Sequence, residues 1–340
     1  MSKKRIIYLE VLRAIATIAV IIIHVTAQNW RVIDVSSIEW IVMTLWNSAA
    51  RIAVPLFVMI SGVVFLNREK DITIQEIFKK YSLRILIVFC AWSFIYAVVY
   101  SFTYGESIIK FILRFVGGHY HLWYLLMLIG LYLIIPFLRK ITADKKTTEY
   151  FLLLSFILTS LIPTLIKLPI LKNFSDPYGS LHYHFTLGYS SYFVLGFYLH
   201  KYGFEYIQRK WIYLLGILGF LFTFISTVGL SIQKQSVYAG FLNNFMIGVV
   251  LETIAVFMLC KDVKIHSKKV LTCINMVSKY SFGIYLVHIL VLDKLECLGL
   301  NTLSFSIYLS IPVLIIIVFF ISMFISYLLN CIPFIKKYFV

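Results

Sequence analysis

Charged residues are scarce in this chain. Asp, Glu, Lys and Arg make up only 14% of its 340 residues, and 15 of them are acidic. Hydrophobic residues make up 61%, and the mean hydropathy is +0.91. Soluble domains carry about 25% charged residues. The scarcity of charge therefore excludes an ordinary soluble domain and predicts an integral membrane protein.

Cysteine is also sparse, and its spacing carries no motif. The five cysteines are scattered and lie mostly in or beside apolar runs, at Cys90, Cys260, Cys273, Cys297 and Cys331. A disulfide scaffold needs an even number of cysteines, and a metal site needs ligands at short characteristic spacings. We therefore expect neither a disulfide framework nor a metal site.

A basic domain is absent too, although the formal net charge is +16. The lysines and arginines lie in short loops between apolar runs, so we expect no nucleic-acid binding. With the N-terminus in the cytoplasm, 21 of these residues fall on the cytoplasmic side and seven on the outer side. Cytoplasmic loops of membrane proteins are enriched in Lys and Arg. This bias predicts that both termini are cytoplasmic and that the number of spans is even.

Ten apolar runs, most of them close to 20 residues, are candidates to cross about 30 Å of hydrocarbon. They lie at residues 6–27, 41–66, 84–103, 121–138, 149–167, 187–200, 211–230, 240–260, 273–292 and 303–328. The sequence therefore predicts an all-α integral membrane protein, a polytopic bundle of about ten transmembrane helices surrounded by membrane lipids. We expect one domain over residues 1–340. The start MSKKRIIYLE is similar to a signal peptide, but Arg13 interrupts its apolar run, so we expect an uncleaved first span.

The first run, LEVLRAIATIAVIIIHV, holds three ionisable residues. The eleven residues from Arg13 to His24 turn a helix by about 1100°, or three turns plus roughly 20°. Both side chains therefore share one face, roughly 16 Å apart, and Glu10 lies one turn before Arg13. Ionisable residues inside a span are costly, so the stripe indicates a functional site. The alternative is a structural Glu10–Arg13 pair near the cytoplasmic end, with His24 at the opposite interface.

The second run, NSAARIAVPLFVMISG, places Pro55 four residues after Arg51. Proline lacks an N–H, so the carbonyl of Arg51 loses its helical partner and a kink is expected. A buried arginine at a kink, with Asn47 one turn earlier, offers hydrogen-bond donors to the bundle interior. The alternative is that Arg51 is a structural partner of Glu10 or Glu252.

Basic and aromatic clusters flank the next two runs. The segment IFKKYSLRILIVF brings Lys79, Lys80 and Arg84 to the predicted cytoplasmic face. Such a cluster anchors a span at lipid headgroups, and it would equally bind an anionic nucleotide. The fourth run opens at the predicted outer surface with GGHYHLWYLL, which fits either an aromatic belt or a sugar-binding site through His119, Tyr120, His121, Trp123 and Tyr124.

Two further segments carry polar groups. In the ninth run, SKYSFGIYLVH places Ser281, Tyr285 and His288 on one helix face. Hydrogen bonding between helices explains this pattern about as well as catalysis does. The predicted outer loop DPYGSLHYHF adds groups that could touch a carbohydrate, namely Asp176, Tyr178, His182 and His184.

Taken together, these motifs resemble the acyltransferase 3 family of membrane-embedded bacterial O-acyltransferases. The resemblance is carried by Glu10, Arg13 and His24, by RIAVPLFVMISG, by the basic start of the third run, by HLWYL and by SKYSFGIYLVH. It covers essentially the whole chain. The segments NSAARIAVPLFVMISG and YHLWYLL look most similar to the enterobacterial common antigen O-acetyltransferase subgroup, which lacks an attached extracytoplasmic hydrolase-like domain. This sequence departs from its relatives in carrying glutamate at position 10, where they often have aspartate.

The resemblance implies a ten-helix enzyme of the bacterial cytoplasmic membrane. Such enzymes take an acyl group, usually acetyl, from cytoplasmic acyl-CoA and deliver it to a hydroxyl of a cell-surface glycan or its lipid-linked precursor. Acetyl-CoA is then a donor substrate, and no bound cofactor is implied. By this likeness Arg13 and His24 are the functional pair, with Glu10 beside them.

The chemistry of coenzyme A fits this placement. A basic cytoplasmic face could hold its phosphates while the pantetheine arm reaches toward His24. The likeness adds Arg51 and Arg84 as further functional candidates, so the donor-binding candidates are Arg51, Lys79, Lys80 and Arg84. A neutral imidazole at His24 then either takes a proton from the sugar hydroxyl or is itself acylated. The acceptor-side candidates are His121, Trp123, Tyr124, Tyr285 and His288.

Two other classes of function compete with acyl transfer. A transporter or flippase of a surface-polymer precursor is the alternative, because intramembrane charges also mark substrate pathways. Transporters commonly have duplicated halves with matching broken helices, and no such repeat is evident in the sequence. The third option is a non-enzymatic assembly partner of other surface-polymer enzymes.

Overall fold

The computed structural model describes residues 6–67, 71–168 and 184–339, and every regular element within these ranges is helical. In chain order the helices are α1 (Ile7–Ala27), α2 (Ile38–Ala50), α3 (Ala53–Leu66), α4 (Ile74–Tyr104), α5 (Ile108–Gly117), α6 (Trp123–Leu133), α7 (Ile135–Ile141), α8 (Lys145–Ile166), α9 (His184–Lys201), α10 (Tyr206–Gln233), α11 (Ile247–Asp262), α12 (Lys268–Cys297), α13 (Ile307–Cys331) and α14 (Pro333–Tyr338). The predicted all-α class is confirmed.

Nine helical stretches in the described ranges are long and apolar enough to cross a membrane. They are Ile7–Ala27, Ile38–Leu66, Ile74–Tyr104, Ile108–Leu133, Lys145–Ile166, Tyr206–Gln233, Gly240–Asp262, Lys268–Cys297 and Ile307–Cys331. These stretches correspond to nine of the ten predicted runs. The remaining run, 187–200, forms α9, an 18-residue helix with non-helical backbone at Gly188, and it is not among the nine. The chain is therefore a multi-pass membrane protein.

Helix α1 lies at the centre of the bundle. It packs against α2, α3, α11, α12 and α13. Leu12, Ala16 and Val25 are fully buried along it, as expected for a helix surrounded by others. The ionisable stripe of the first run therefore lies inside the protein and not against lipid.

The second span is broken where the proline predicts a kink. Helix α2 ends at Ala50, and α3 begins at Ala53 after a turn at Arg51 and Ile52. Pro55 has no N–H to donate to the carbonyl of Arg51. The backbone resumes its helical bonding at Leu56, whose N–H donates to the carbonyl of Ile52 at 2.9 Å. The break places Arg51 at a turn inside the bundle.

Helices α3 and α9 cross at very short range. A Cβ added to Gly62 would lie 1.8 Å from the carbonyl oxygen of Phe193, and one added to Gly196 would lie 2.2 Å from that of Met59. Only glycine permits such an approach of two backbones, as in small-residue helix crossings of membrane proteins. Helix α9 is therefore an interior helix held against the broken span.

Candidate active site

Arg13 and His24 line the same cavity, as the stripe on α1 predicts. Glu10 lies behind Arg13 and not in the cavity wall. The Nη1 of Arg13 donates to Oε1 of Glu10 at 3.1 Å, and the hydroxyl of Ser278 on α12 donates to the other carboxylate oxygen. Both interpretations of the stripe thus hold in part, since Glu10 and Arg13 form a pair and Arg13 also faces the cavity.

The cavity has a volume of about 680 Å³ and extends over the interior faces of several helices. Ligand pockets of small molecules typically measure about 300–1,000 Å³. Its wall is mostly aromatic and aliphatic, with polar groups at the two ends, and includes Arg13, Val20, Ile23, His24, Arg51, Val54, Phe57, Lys80, Tyr81, Arg84, Ile85, His121, Trp123, Tyr124, Leu128, Tyr132, Asn244, Ser281, Phe282 and Tyr285. We call the part with Lys80 and Arg84 the basic end, and the part with His24 and His121 the histidine end.

At the basic end, α4 contains a π-helical segment from Ile77 to Ser82. Such segments are frequent at functional sites, because the wider turn redirects side chains. Lys80 and Arg84 border the main cavity and also a second cavity of about 620 Å³. Lys79 borders only this second cavity, together with Lys336 of the C-terminal helix α14.

The basic end therefore carries more positive charge than the sequence motif predicts. Four cations, Lys79, Lys80, Arg84 and Lys336, surround the second cavity, and none of the described residues in its wall is acidic. Nearby, Glu76 reaches Lys80 at 3.8 Å, a distance typical of a weak surface pair. Sequence reasoning missed Lys336, because 250 residues separate it from the motif at positions 79–84. Such a group of cations has the charge to bind a polyanion.

Arg51 borders the cavity near His24, and its guanidinium is held by Asn47. The Nε donates to Oδ1 of Asn47 at 2.8 Å, and Nη2 donates to the same oxygen. Asn47 in turn donates from Nδ2 to the hydroxyl of Thr26 on α1 at 2.8 Å. Neither Glu10 nor Glu252 pairs with Arg51 in the described part of the chain. The alternative pairing of Arg51 with Glu10 or Glu252 is therefore not observed, whereas its contact with Asn47, one turn earlier, is.

Four histidines lie together at the histidine end. The ring centroid of His24 is 5.0 Å from that of His288 and 6.5 Å from that of His121. The Nδ1 atoms of His119 and His121 share a hydrogen bond of 2.8 Å. Tyr120 places its hydroxyl 3.4 Å from Nδ1 of His24. The segment GGHYHLWYLL thus forms part of an interior site, which an aromatic belt alone would not predict.

The three residues of SKYSFGIYLVH that share a helix face by spacing, Ser281, Tyr285 and His288, lie in two different environments. Ser281 and Tyr285 border the cavity, whereas His288 is fully buried behind it. The hydroxyl of Tyr285 donates to the backbone carbonyl of His121 at 2.6 Å. His288 is therefore not positioned to contact an acceptor directly, unlike the other four acceptor-side candidates.

Aromatic groups and an amide complete the mouth of the cavity at the histidine end. Trp123 and Tyr124 both border it, and Trp123 is 43% exposed. Asn244 joins them from the segment before α11, and its Nδ2 donates to the hydroxyl of Tyr189 at 2.8 Å. Asn244 carries no motif in the sequence, so only the fold brings it to the site.

The predicted carbohydrate contacts of DPYGSLHYHF cannot be placed in this site. Asp176, Tyr178 and His182 lie in the segment 169–183, outside the described residues. His184 is described only by its backbone, at the start of α9. Among the described residues, no three His, Cys, Asp or Glu side chains are arranged to hold a metal ion.

Comparison with known proteins identifies the family. A family model described as "Acyltransferase domain" matches residues 6–331, nearly the whole chain. No curated protein and no solved structure matches it. The matched region contains both ends of the cavity and all of α1. The chain therefore belongs to the acyltransferase 3 family of membrane acyltransferases.

Proposed function

We propose that the protein transfers an acyl group, acetyl in the first instance, from cytoplasmic acyl-CoA to a hydroxyl of a cell-surface glycan or its lipid-linked precursor. The site of action is the bacterial cytoplasmic membrane. One observation carries the proposal: a single cavity is bordered by cations at one end and by His24 and His121 at the other. Such a cavity can hold a charged donor and an uncharged acceptor at opposite ends.

The donor enters from the basic end, which the distribution of loop charges assigns to the cytoplasm. The phosphates of coenzyme A are held by Lys79, Lys80, Arg84 and Lys336, since ammonium and guanidinium groups bind phosphate strongly. The pantetheine arm then lies along the cavity past Arg13. Eleven residues of helix give a rise of roughly 16 Å from Arg13 to His24, a length that such an arm can span.

At the histidine end, the acceptor hydroxyl attacks the carbonyl carbon of the thioester. The new carbon–oxygen bond forms, the carbon–sulfur bond breaks, and His24 takes the hydroxyl proton and passes it to the departing thiolate. A histidine in this role contributes about 10²–10⁴-fold to the rate. Should mass spectrometry of the protein after incubation with acetyl-CoA detect an acetyl group on His24, the imidazole would instead be the nucleophile.

A sugar fits the mouth at the histidine end. The exposed ring of Trp123 offers an apolar face on which the C–H groups of a pyranose can stack, and Asn244 offers both a donor and an acceptor. Recognition of a hydroxyl-rich ligand by one aromatic face and a few polar groups is typical of small-molecule sites. These features support a glycan acceptor over a purely lipidic one.

The proposed function is tested by comparing surface glycans of cells with and without the gene. Mass spectrometry should detect loss of one acyl mass in the deletion strain and its return on expression of the wild-type chain. Expression of His24→Ala should not restore it. Unchanged glycans would contradict the proposal, and uptake of a glycan precursor into vesicles without acyl-CoA consumption would favour the transporter instead.

Lys336 provides a test of the donor end. Replacing it by alanine should raise the KM for acetyl-CoA about 3–10-fold and leave kcat unchanged, because a phosphate contact far from the reacting atoms contributes uniform binding. Lys268→Ala is the matched control, since this lysine is exposed at the start of α12 and does not border either basic cavity. Equal effects of the two variants, measured at the same ionic strength, would argue against a specific phosphate site.

A further inference from the structure

The position of one proton on His288 follows from its hydrogen bond. Nδ1 of His288 lies 2.7 Å from the backbone carbonyl oxygen of Tyr285. A carbonyl oxygen only accepts, so Nδ1 must carry the hydrogen. In a neutral imidazole the other nitrogen, Nε2, is then unprotonated and presents a lone pair. His288 is therefore an acceptor at Nε2.

This acceptor has no partner, although its side chain is fully buried. Nε2 of His288 makes no hydrogen bond within the described ranges. Buried polar atoms in proteins are almost always hydrogen-bonded, so an exception calls for an explanation. The ring of His24 lies closest among the other histidines, at 5.0 Å between centroids, and that of His121 follows at 5.5 Å. His24 borders the cavity and His288 does not. His288 can therefore act on a substrate only by way of a neighbouring histidine that borders the cavity.

We infer that His288 is a positioning residue, which accepts a hydrogen bond from His24 when His24 becomes protonated during acyl transfer. The inference rests on the proposed function, because it needs His24 to act as the base. In the imidazolium of His24, the N–H that carries the substrate proton faces the reacting groups, and the N–H on the other ring nitrogen needs an acceptor, to which it bonds more strongly once the ring is charged. Catalytic hydrogen bonds are often long in a resting enzyme and tighten only as charge develops, which fits the observed separation of the rings.

An imidazole suits this role better than a carboxylate would. A catalytic base is commonly oriented by a third group, which is often an aspartate. None of the described carboxylates hydrogen-bonds to His24. Within the described residues, the hydrogen-bond partner of the His24 ring is the hydroxyl of Tyr120. A permanent negative charge inside a span is costly. The lone pair of a neutral His288 stabilises the transient imidazolium through a charge-assisted bond and carries no charge in the resting state.

The proton balance of the reaction is unchanged by this arrangement. The acceptor hydroxyl gives its proton to His24, and His24 gives it to the thiolate of coenzyme A. His288 keeps its own hydrogen on Nδ1, bonded to the carbonyl of Tyr285, and takes up none. Because the bond to His288 strengthens only as His24 becomes charged, its loss should lower kcat and leave the KM for acyl-CoA unchanged.

Two amide substitutions separate the acceptor role from a packing role. His288→Asn keeps a donor near Nδ1 but has no atom at the place of Nε2, whereas His288→Gln extends an acceptor to that place. Both are measured in the purified full chain with radiolabelled acetyl-CoA and glycan extracted from the envelope of cells that lack the gene. We expect kcat to fall about 100-fold in the Asn variant and by less than about 10-fold in the Gln variant, each with KM for acetyl-CoA within about twofold.

The same substitutions in a His24→Ala background complete the test. If His288 acts through His24, adding His288→Asn to His24→Ala should change the residual rate by less than about twofold, since the two residues form one unit. Equal fold losses in both backgrounds, or full activity of a folded His288→Asn variant, would overturn the inference. Equal losses in folded Asn and Gln variants would also overturn it. Wild-type activity of His24→Ala would likewise overturn the inference, whereas absence of acyl transfer by the wild-type chain would instead overturn the proposed function, so the two failures are distinguishable.

Discussion

Replacing His24 by alanine should lower kcat for acyl transfer by about 10³-fold and leave the binding of acyl-CoA nearly unchanged. His24 lies at the end of the cavity opposite Lys80 and Arg84, so it is remote from the groups that we propose to hold the donor phosphates. General base catalysis accounts for about 10²–10⁴-fold in rate. No other histidine in the cavity wall has the same neighbouring residues as His24, so none is placed to act as the base instead. The measurement is transfer of radiolabelled acetyl to extracted glycan, with donor affinity measured separately by calorimetry.

His266→Ala is the matched control for this experiment. His266 is exposed in the loop between α11 and α12 and does not border the cavity. Its replacement should leave kcat and KM at their wild-type values. If His24→Ala retained wild-type kcat, His24 would be a structural histidine and the assignment of the base would be wrong. If His24→Ala lost donor binding as strongly as it lost turnover, the separation of donor and acceptor ends would be wrong.

The second large effect concerns the crossing of α3 and α9. Gly62→Ala should lower the midpoint of thermal unfolding by on the order of 5–10 °C, because the new Cβ would lie 1.8 Å from the carbonyl oxygen of Phe193. The obstructing atom belongs to a backbone, so the two helices must move apart. Gly130→Ala is the same substitution within helix α6, where no atom lies within 4 Å of the added Cβ. There alanine should be neutral or slightly stabilising, since glycine costs about 0.5–1 kcal/mol in a helix interior.

The fluorescence of the buried tryptophans reports this unfolding in detergent, since Trp40 is fully buried. Similar shifts of the midpoint of thermal unfolding for Gly62→Ala and Gly130→Ala would show that helix propensity, and not the close crossing of the two helices, determines the loss of stability. A loss of acyl transfer in Gly62→Ala at temperatures where the protein remains folded would indicate that the crossing also shapes the cavity. Phe57 on α3 borders the cavity and provides the physical link.

Local spacing was sufficient for two features, each of which lies within one span. The eleven residues between Arg13 and His24 place both side chains on one face, and both border the cavity. Pro55 breaks the second span at the turn with Arg51. The same reasoning fails for His288, which shares a helix face with Tyr285 by spacing. A helix face is wide enough for one residue to border a cavity and for its neighbour one turn on to pack behind it.

Contacts between distant segments could not be predicted from any pattern in the sequence. Lys336 joins Lys79 at the basic end, and Asn244 joins Trp123 at the histidine end. Each pair is separated by more than 100 positions, and each depends on how whole helices pack. The pairing of Arg51 with Asn47 was the exception, because the two residues lie one helical turn apart.

The sequence alone determined the class of the protein, the nine long apolar helical stretches and the stripe on the first of them. Composition decides whether a chain enters the membrane, because each charged residue in hydrocarbon is costly, and helical periodicity decides which side chains share a face. Tertiary structure decided that the stripe faces a cavity, that the cavity joins a cationic end to a cluster of histidines, and that His288 lies behind His24. These features depend on helix packing, and packing depends on close backbone approaches such as Gly62 against Phe193, which no single run of residues specifies.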